Sequence, residues 1–253
     1  KASITFNALP KDKSYAQKEG YTFFMEKEIY EQGAVVSETI MGRVKNHKVT
    51  LENLDDEYLK SIDDIVLCAC GTSYHAALTA SYLFERLAKV RTKVEVASEF
   101  RYRKPYLNKN SLFIVISQSG ETADTLEALR IAKEAGLKTL AICNVDNSSI
   151  VRLADNTLLT RAGIEKGVAS TKAFATQIIV LWMLVLQMAS AKGSISKKEL
   201  DHEIKTLLHI PQILNIDNSL QEKLHRLSKH YLHGHGFFFI GRDIFYPLAL
   251  EGA

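Results

Sequence analysis

The sequence predicts an α/β protein, a doubly wound parallel sheet sandwiched by helices. Three observations carry that expectation. Short apolar runs, "DIVLCACG", "LFIVISQSG" and "KTLAICNV", alternate with helix-period runs such as "TSYHAALTASYLFERLAKV" and "TADTLEALRIAKEAG". Such alternation builds parallel strands covered by helices on both faces, joined by right-handed crossovers. The chain has 253 residues, 46% of them hydrophobic and 24% charged, enough apolar mass for a full core. Two of the apolar runs end in Gly at the point where a helix pattern opens, the punctuation expected where a strand turns into a helix.

Taken in order, residues 1–20 are polar and irregular and read as a linker or the tail of a preceding domain. "YTFFMEKEIYEQGAVVSETIMGRV" carries helix-period apolar positions at Phe24, Ile29, Val36 and Ile40, and Gly33 within it predicts two helices with a bend. "TLENLDDEYLKSI" reads as a short helix opened by Thr50, with Asn53 and Asp55 in its first turn. A strand is expected over "DIVLCACG", then a long helix, a strand over "KVEVASEF", and a strand over "LFIVISQSG". A helix closed by Gly136 follows, then strands over "KTLAICNV" and "NTLLTRAG". "VASTKAFATQIIVLWMLVLQMAS" is expected to be a long, largely buried helix; its longest apolar run, 178–189, is about half of the roughly 20 residues a membrane span needs. Two helical runs separated near Pro211 and Asn215 lead to "GFFFIGRDIFYPLALEGA". That stretch repeats the form of "DIVLCACGTSYHAALTA", an apolar strand, a Gly and a helix, with Gly71 and Gly241 as the matching points. The chain begins at Lys1 and stops inside a helix-like pattern, so it is expected to be a piece of a longer protein.

In an open parallel sheet, ligands bind beyond the carboxyl ends of the strands, where the strand order switches. Three small-polar loops are expected there: Cys70-Gly71-Thr72-Ser73, Ser117-Gln118-Ser119-Gly120-Glu121-Thr122, and Gly167-Val168-Ala169-Ser170-Thr171-Lys172. A helix start offers unpaired N–H groups and the positive end of the helix dipole, hydroxyls add donors without bulk, and Gly120 lets the backbone come close. The competing reading is that these residues are only helix caps. Three such loops hold more hydroxyls than capping needs, and point to a phosphoryl group held mostly by neutral donors. Glu121 fits an anion site only if it points away. The sequence has neither G-x-x-x-x-G-K-[ST] nor G-x-G-x-x-G, so the phosphate is expected on a small molecule such as a sugar phosphate.

Other reactive residues read as structural. Cys68 and Cys70 lie in an apolar run and are expected to be buried hydrophobes rather than metal ligands. Three cysteines without framework spacing suggest reduced thiols and a cytoplasmic protein. His75 reads as a packed helix residue with no visible partner, and His233 and His235 in "HGHG" as loop residues. Lys172 either faces the phosphate or covers the surface, and Glu251 has no assigned role. No metal or cofactor is expected. A net charge of +3 with no basic stripe argues against nucleic acid as the main partner.

Taken together, "CGTSYHA", "SQSGETADT" and "GVASTKAF" resemble the sugar-isomerase (SIS) domain. More closely, the chain from about residue 21 resembles the isomerase region of the glutamine–fructose-6-phosphate amidotransferase family, with "FFMEKEIYEQ" before the domain and "ALEGA" opening a helix of a second SIS unit. Gly33 stands where that family usually has Pro. The resemblance implies a flavodoxin-like strand order, with the first SIS domain over 21–195 and connecting helices plus the start of a second SIS domain over 196–253. Residues 1–20 would then end a glutaminase domain. It implies phosphate ligation by Ser73, Ser117, Gln118, Ser119 and Thr122, with Thr72 near the sugar and Val168, Ala169 and Ser170 lining it. The implied partners are fructose 6-phosphate and glucosamine 6-phosphate, without nucleic acid or membrane, and the full-length protein is implied to be a homodimer. The family's proton-transfer groups lie beyond Ala253, so the chain is expected to bind substrate without turning it over, and no catalytic residue is assigned. The alternatives are a SIS-type regulatory module that senses a sugar phosphate, for which no basic recognition helix is present, and an isomerase of a pentose or heptose phosphate, against which the second unit counts.

Overall fold

The computed structural model describes residues 17–253. All but the last four residues of the expected linker, 1–20, therefore lie outside the described residues.

Five parallel strands form one sheet: β3 (Asp64–Ala69), β4 (Arg91–Val96), β5 (Ser111–Ser117), β6 (Lys138–Cys143) and β7 (Asn156–Leu159), in the spatial order β4-β3-β5-β6-β7. Counted from the first of these, the order is 2-1-3-4-5, the flavodoxin-like arrangement. Every residue of β3 and β5 is buried. That is why they read as unbroken apolar runs rather than alternating ones.

The pleat divides the strand residues between two cores. Ile65, Leu67, Ala69, Leu112, Ile114, Ile116, Leu140 and Ile142 face one side. There they meet α1 (Phe24–Ile40), α2 (Asp56–Ser61), α3 (Gly71–Leu83), α7 (Lys172–Lys192) and α8 (Lys197–Ile213). Val66, Cys68, Phe113, Val115 and Ala141 face the other side, against α4 (Ala97–Arg103), α5 (Ala123–Glu134) and α6 (Ser149–Leu153). Helix α7 is long and apolar enough to cross a membrane by length and composition, but most of it is inside the protein. It is the central helix of the larger core.

Four local expectations are corrected. Helix α1 runs unbroken through Gly33. A Cβ at Gly33 would stand 2.8 Å from both the Pro211 carbonyl oxygen and Asn215 Oδ1. The glycine therefore serves close approach of the end of α8, not a bend. Alanine would gain about 0.5–1 kcal/mol of helix propensity. It would lose about 1–3 kcal/mol by overpacking. Gly33→Ala is thus expected to lower stability by about 1–2 kcal/mol in urea titration. Second, α2 is capped by Asp55, whose side chain accepts the Glu57 N–H, while Thr50 extends a small hairpin of β1 (Val44–Lys45) and β2 (Lys48–Val49) by donating to Arg43. Third, strand β4 stops at Val96; "ASEF" belongs to α4, because Ala97 and Phe100, three apart, both reach the core under the sheet.

The fourth correction concerns "GFFFI", expected to be a strand. Residues 236–240 are irregular, and Phe237, Phe238, Phe239 and Ile240 are exposed. A strand needs a ladder partner, and among the described residues none lies beside this segment. After α9 (Asn218–Tyr231) and a 3₁₀ turn at Asp243–Phe245, the expected helix does form as α10 (Tyr246–Gly252), packed on α3.

Candidate functional site

Strands β3 and β5 are neighbours, yet the chain leaves β3 toward β4 and leaves β5 toward β6, in opposite directions across the sheet. The crevice of this fold therefore opens between their carboxyl ends. Pairing of Cys68 with Val115 sets Ala69 level with Ile116, so the loops 70–73 and 117–122 leave the sheet side by side.

The second loop is fixed by its own hydroxyls. Ser117 Oγ accepts the Gly120 N–H at 3.0 Å and lies 3.2 Å from Thr122 Oγ1. Ser119 Oγ accepts the Glu121 N–H at 3.2 Å. A hydroxyl that accepts still has a proton to give. One proton links Ser117 to Thr122, so that pair retains one, and Ser119 retains its own. Gly120 has a φ of +69°, and its carbonyl accepts the Ile150 N–H at 3.0 Å, while the Gln118 carbonyl accepts from Asn144. Glu121 points away: its carboxylate takes the Ser149 N–H at 2.8 Å, and this bond holds its pKa below the usual carboxylate range. Helix capping does not account for these residues. Thr122 stands at the N-cap of α5 and Cys70 at that of α3, and neither side chain makes a capping hydrogen bond.

In the first loop, Gly71 has a φ of +53°. Ser73 is buried, and its Oγ accepts from Gln177 Nε2 at 3.0 Å, leaving the Ser73 proton available. Gln177 was not singled out from the sequence; the signal was an amide inside the apolar face of α7. Thr72 behaves differently. Its hydroxyl donates to Glu251 Oε1 at 2.8 Å, and the other carboxylate oxygen takes His75 Nδ1 at 2.6 Å. His75, expected to lack a partner, has one, and Glu251, left without a role, bridges α10 to the start of α3.

The third loop is arranged otherwise than expected for an anion. Glu165 turns back onto the start of α7, accepting from Ser170 Oγ at 3.1 Å, Thr171 N–H at 2.9 Å and Ala173 N–H at 3.2 Å. A carboxylate thus already satisfies the helix start. Glu28 accepts the N–H groups of Lys166 and Gly167. Val168 is fully exposed, and Ala169 is exposed. Lys172 does not cover the surface: it is buried and paired with Glu31 at 2.6 Å. The structure therefore brings together Thr72, Ser73, Ser117, Gln118, Ser119 and Thr122, with Val168, Ala169 and Ser170 on a separately tied loop.

Burial pushes the Cys68 and Cys143 thiols up in pKa, while Cys70, at the crevice, is partly exposed. Among the described residues no group of three or more His, Cys, Asp or Glu could hold a metal ion.

Fold and site together define a flavodoxin-like α/β domain with a hydroxyl-lined crevice at its switch point. The chain belongs to the SIS domain family, whose model matches residues 58–187. It is 64% identical over 251 residues to a glutamine–fructose-6-phosphate aminotransferase (isomerizing) of Campylobacter jejuni, covering 99% of this chain and 41% of that protein. It is 52% identical to the protein of the same name from Helicobacter pylori, covering 96% of this chain and 40% of the relative. The chain thus spans about two fifths of the length of these relatives. The C-terminal domain of glucosamine-fructose-6-phosphate aminotransferase from Francisella tularensis superposes with a TM-score of 0.89 at 41% identity, covering 94% of this chain and 67% of that one.

Proposed function

We propose that this chain is the sugar-phosphate-binding isomerase region of an enzyme that makes glucosamine 6-phosphate from fructose 6-phosphate and glutamine. The observation that carries the reading is the set of hydroxyl protons left free to donate at the switch point, on Ser73, on Ser119 and on the Ser117–Thr122 pair. The relatives' names supply the substrate. Gln118 belongs to the same loop, and Val168, Ala169 and Ser170 are proposed to approach the sugar. Residues 21–195 form the first SIS unit and 196–253 lead into a second, in a homodimeric, cytoplasmic protein.

In the complete enzyme, ammonia from glutamine condenses with the C2 ketone of fructose 6-phosphate, releasing water. A proton then moves between C1 and C2 by general acid–base catalysis to give the 2-amino aldose. The present chain binds the hexose phosphate and holds it in place; the groups that move those protons are proposed to lie outside it.

Calorimetric titration of the purified chain tests this. Fructose 6-phosphate and glucosamine 6-phosphate are expected to bind more tightly than inorganic phosphate, with no detectable isomerisation. Absence of binding to the folded chain would remove the phosphate reading, and measurable turnover would remove the division of labour. Cys70 supplies a second readout. Iodoacetamide is expected to modify it before Cys68 and Cys143 in the native chain, and fructose 6-phosphate is expected to slow that reaction.

A further inference from the structure

We propose that Glu251 is a positioning residue that sets the hydrogen-bond polarity of Thr72, making it a crevice hydroxyl that accepts from a sugar hydroxyl instead of donating to phosphate. This inference rests on the sugar-phosphate reading above and deepens it.

Hydrogen-bond accounting separates the crevice hydroxyls into two kinds. Ser73 Oγ accepts from Gln177 and Ser119 Oγ accepts from Glu121 N–H, so each keeps a proton for an acceptor. Phosphate oxygens are acceptors, and these hydroxyls suit them. Thr72 has the opposite polarity: its proton is directed at the Glu251 carboxylate at 2.8 Å. An ionised carboxylate accepts only, so Thr72 must be the donor, and its oxygen offers lone pairs alone. The ligand group that suits it is an O–H donor, which the hexose carries and its ionised phosphate ester does not; inorganic phosphate is expected at the proton-bearing Ser73 and Ser119 rather than at Thr72.

Glu251 is itself fixed. His75 Nδ1 lies 2.6 Å from its second oxygen, one turn along α3 from Thr72. The glutamate and histidine side chains are each about one fifth exposed, so the pair is partly shielded from water. The carboxylate sits on α10, which packs on α3, and the histidine denies it the freedom to turn away from Thr72. The discrimination between a sugar phosphate and bare phosphate thus depends on a residue that touches neither.

The test uses the 253-residue chain, with fructose 6-phosphate and inorganic phosphate as probes. Glu251→Leu releases Thr72 from its fixed orientation, with its lone pairs no longer held toward the sugar, and is expected to weaken fructose 6-phosphate severalfold, up to the roughly tenfold worth of one neutral hydrogen bond, while leaving inorganic phosphate unchanged. Glu251→Gln keeps an acceptor oxygen for Thr72 and offers its NH₂ to the other tautomer of His75, and is expected to restore most of the difference. Equal weakening of both probes in Glu251→Leu, or weakening of neither, would overturn the proposal. A readout free of ligand keeps it separate from the functional reading. The imidazole ¹⁵N spectrum of His75 is expected to show a protonated Nδ1 that Glu251→Leu abolishes. If the unmodified chain binds neither probe, the sugar-phosphate reading fails. A His75 spectrum unaltered by Glu251→Leu instead removes the positioning contact itself.

Discussion

Gly120→Ala is expected to destabilise the chain by about 3 kcal/mol, and to weaken ligand binding further in whatever remains folded. A Cβ at this position would lie 2.0 Å from Ser148 Oγ, 2.4 Å from Ser148 Cβ and 2.8 Å from Cys143 Sγ. Ser148 and Cys143 are both buried, so neither side chain has room to swing aside. The φ of +69° adds a left-handed penalty of about 1–2 kcal/mol for any residue with a Cβ. Overpacking adds about 1–3 kcal/mol. The loop relieves both only by moving away from α6, which breaks the bond from Ile150 to the Gly120 carbonyl and displaces Ser117 and Ser119. Urea unfolding measures the effect, and a loss below about 1 kcal/mol would show that the loop is not pinned as described.

The second large effect falls on binding. Ser117→Ala/Ser119→Ala removes the Ser119 donor outright and takes from the Ser117–Thr122 pair the hydroxyl that holds Thr122 in place, leaving Thr122 as that pair's one donor. Hydrogen bonds to a charged group are worth about 1.5–3 kcal/mol each. With one donor lost, the double variant is therefore expected to lose about 10- to 100-fold in affinity for fructose 6-phosphate. It also strips acceptors from the Gly120 and Glu121 N–H groups, with a stability cost of about 1–2 kcal/mol that the chain should survive. Ser119→Ala alone separates the two consequences, because Ser119 is exposed and its loss leaves the buried Ser117–Gly120 bond in place. An affinity within threefold of the parent, in a folded double variant, would make these serines turn formers only.

The sheet was legible because β3 and β5 are buried on both faces, so that an unbroken apolar run, not alternation, marks them. The hydroxyl loops were legible because the strand ends, Gly120 and the helix starts are adjacent in the chain. The elements misread share a different cause. "GFFFI" has the composition of a strand, but pairing depends on what lies beside it. Gly33 signals a bend by propensity, whereas its reason is the end of α8, which approaches from 178 to 182 residues later. The third loop has the same small residues as the other two, yet Glu165 sits upstream of them, and a carboxylate ahead of a helix start was the available sign that the N–H groups are taken. The contact of His75 with Glu251 spans 176 residues and no local pattern announces it.

The most direct test of the central claim is a crystal structure of the chain soaked with fructose 6-phosphate, in which the phosphorus position is read from the difference density. The account predicts phosphate oxygens within about 3 Å of the Ser73, Ser117 and Ser119 hydroxyls, at the carboxyl ends of β3 and β5. Phosphate at the start of α7, displacing Glu165, or away from the switch point altogether, would contradict it.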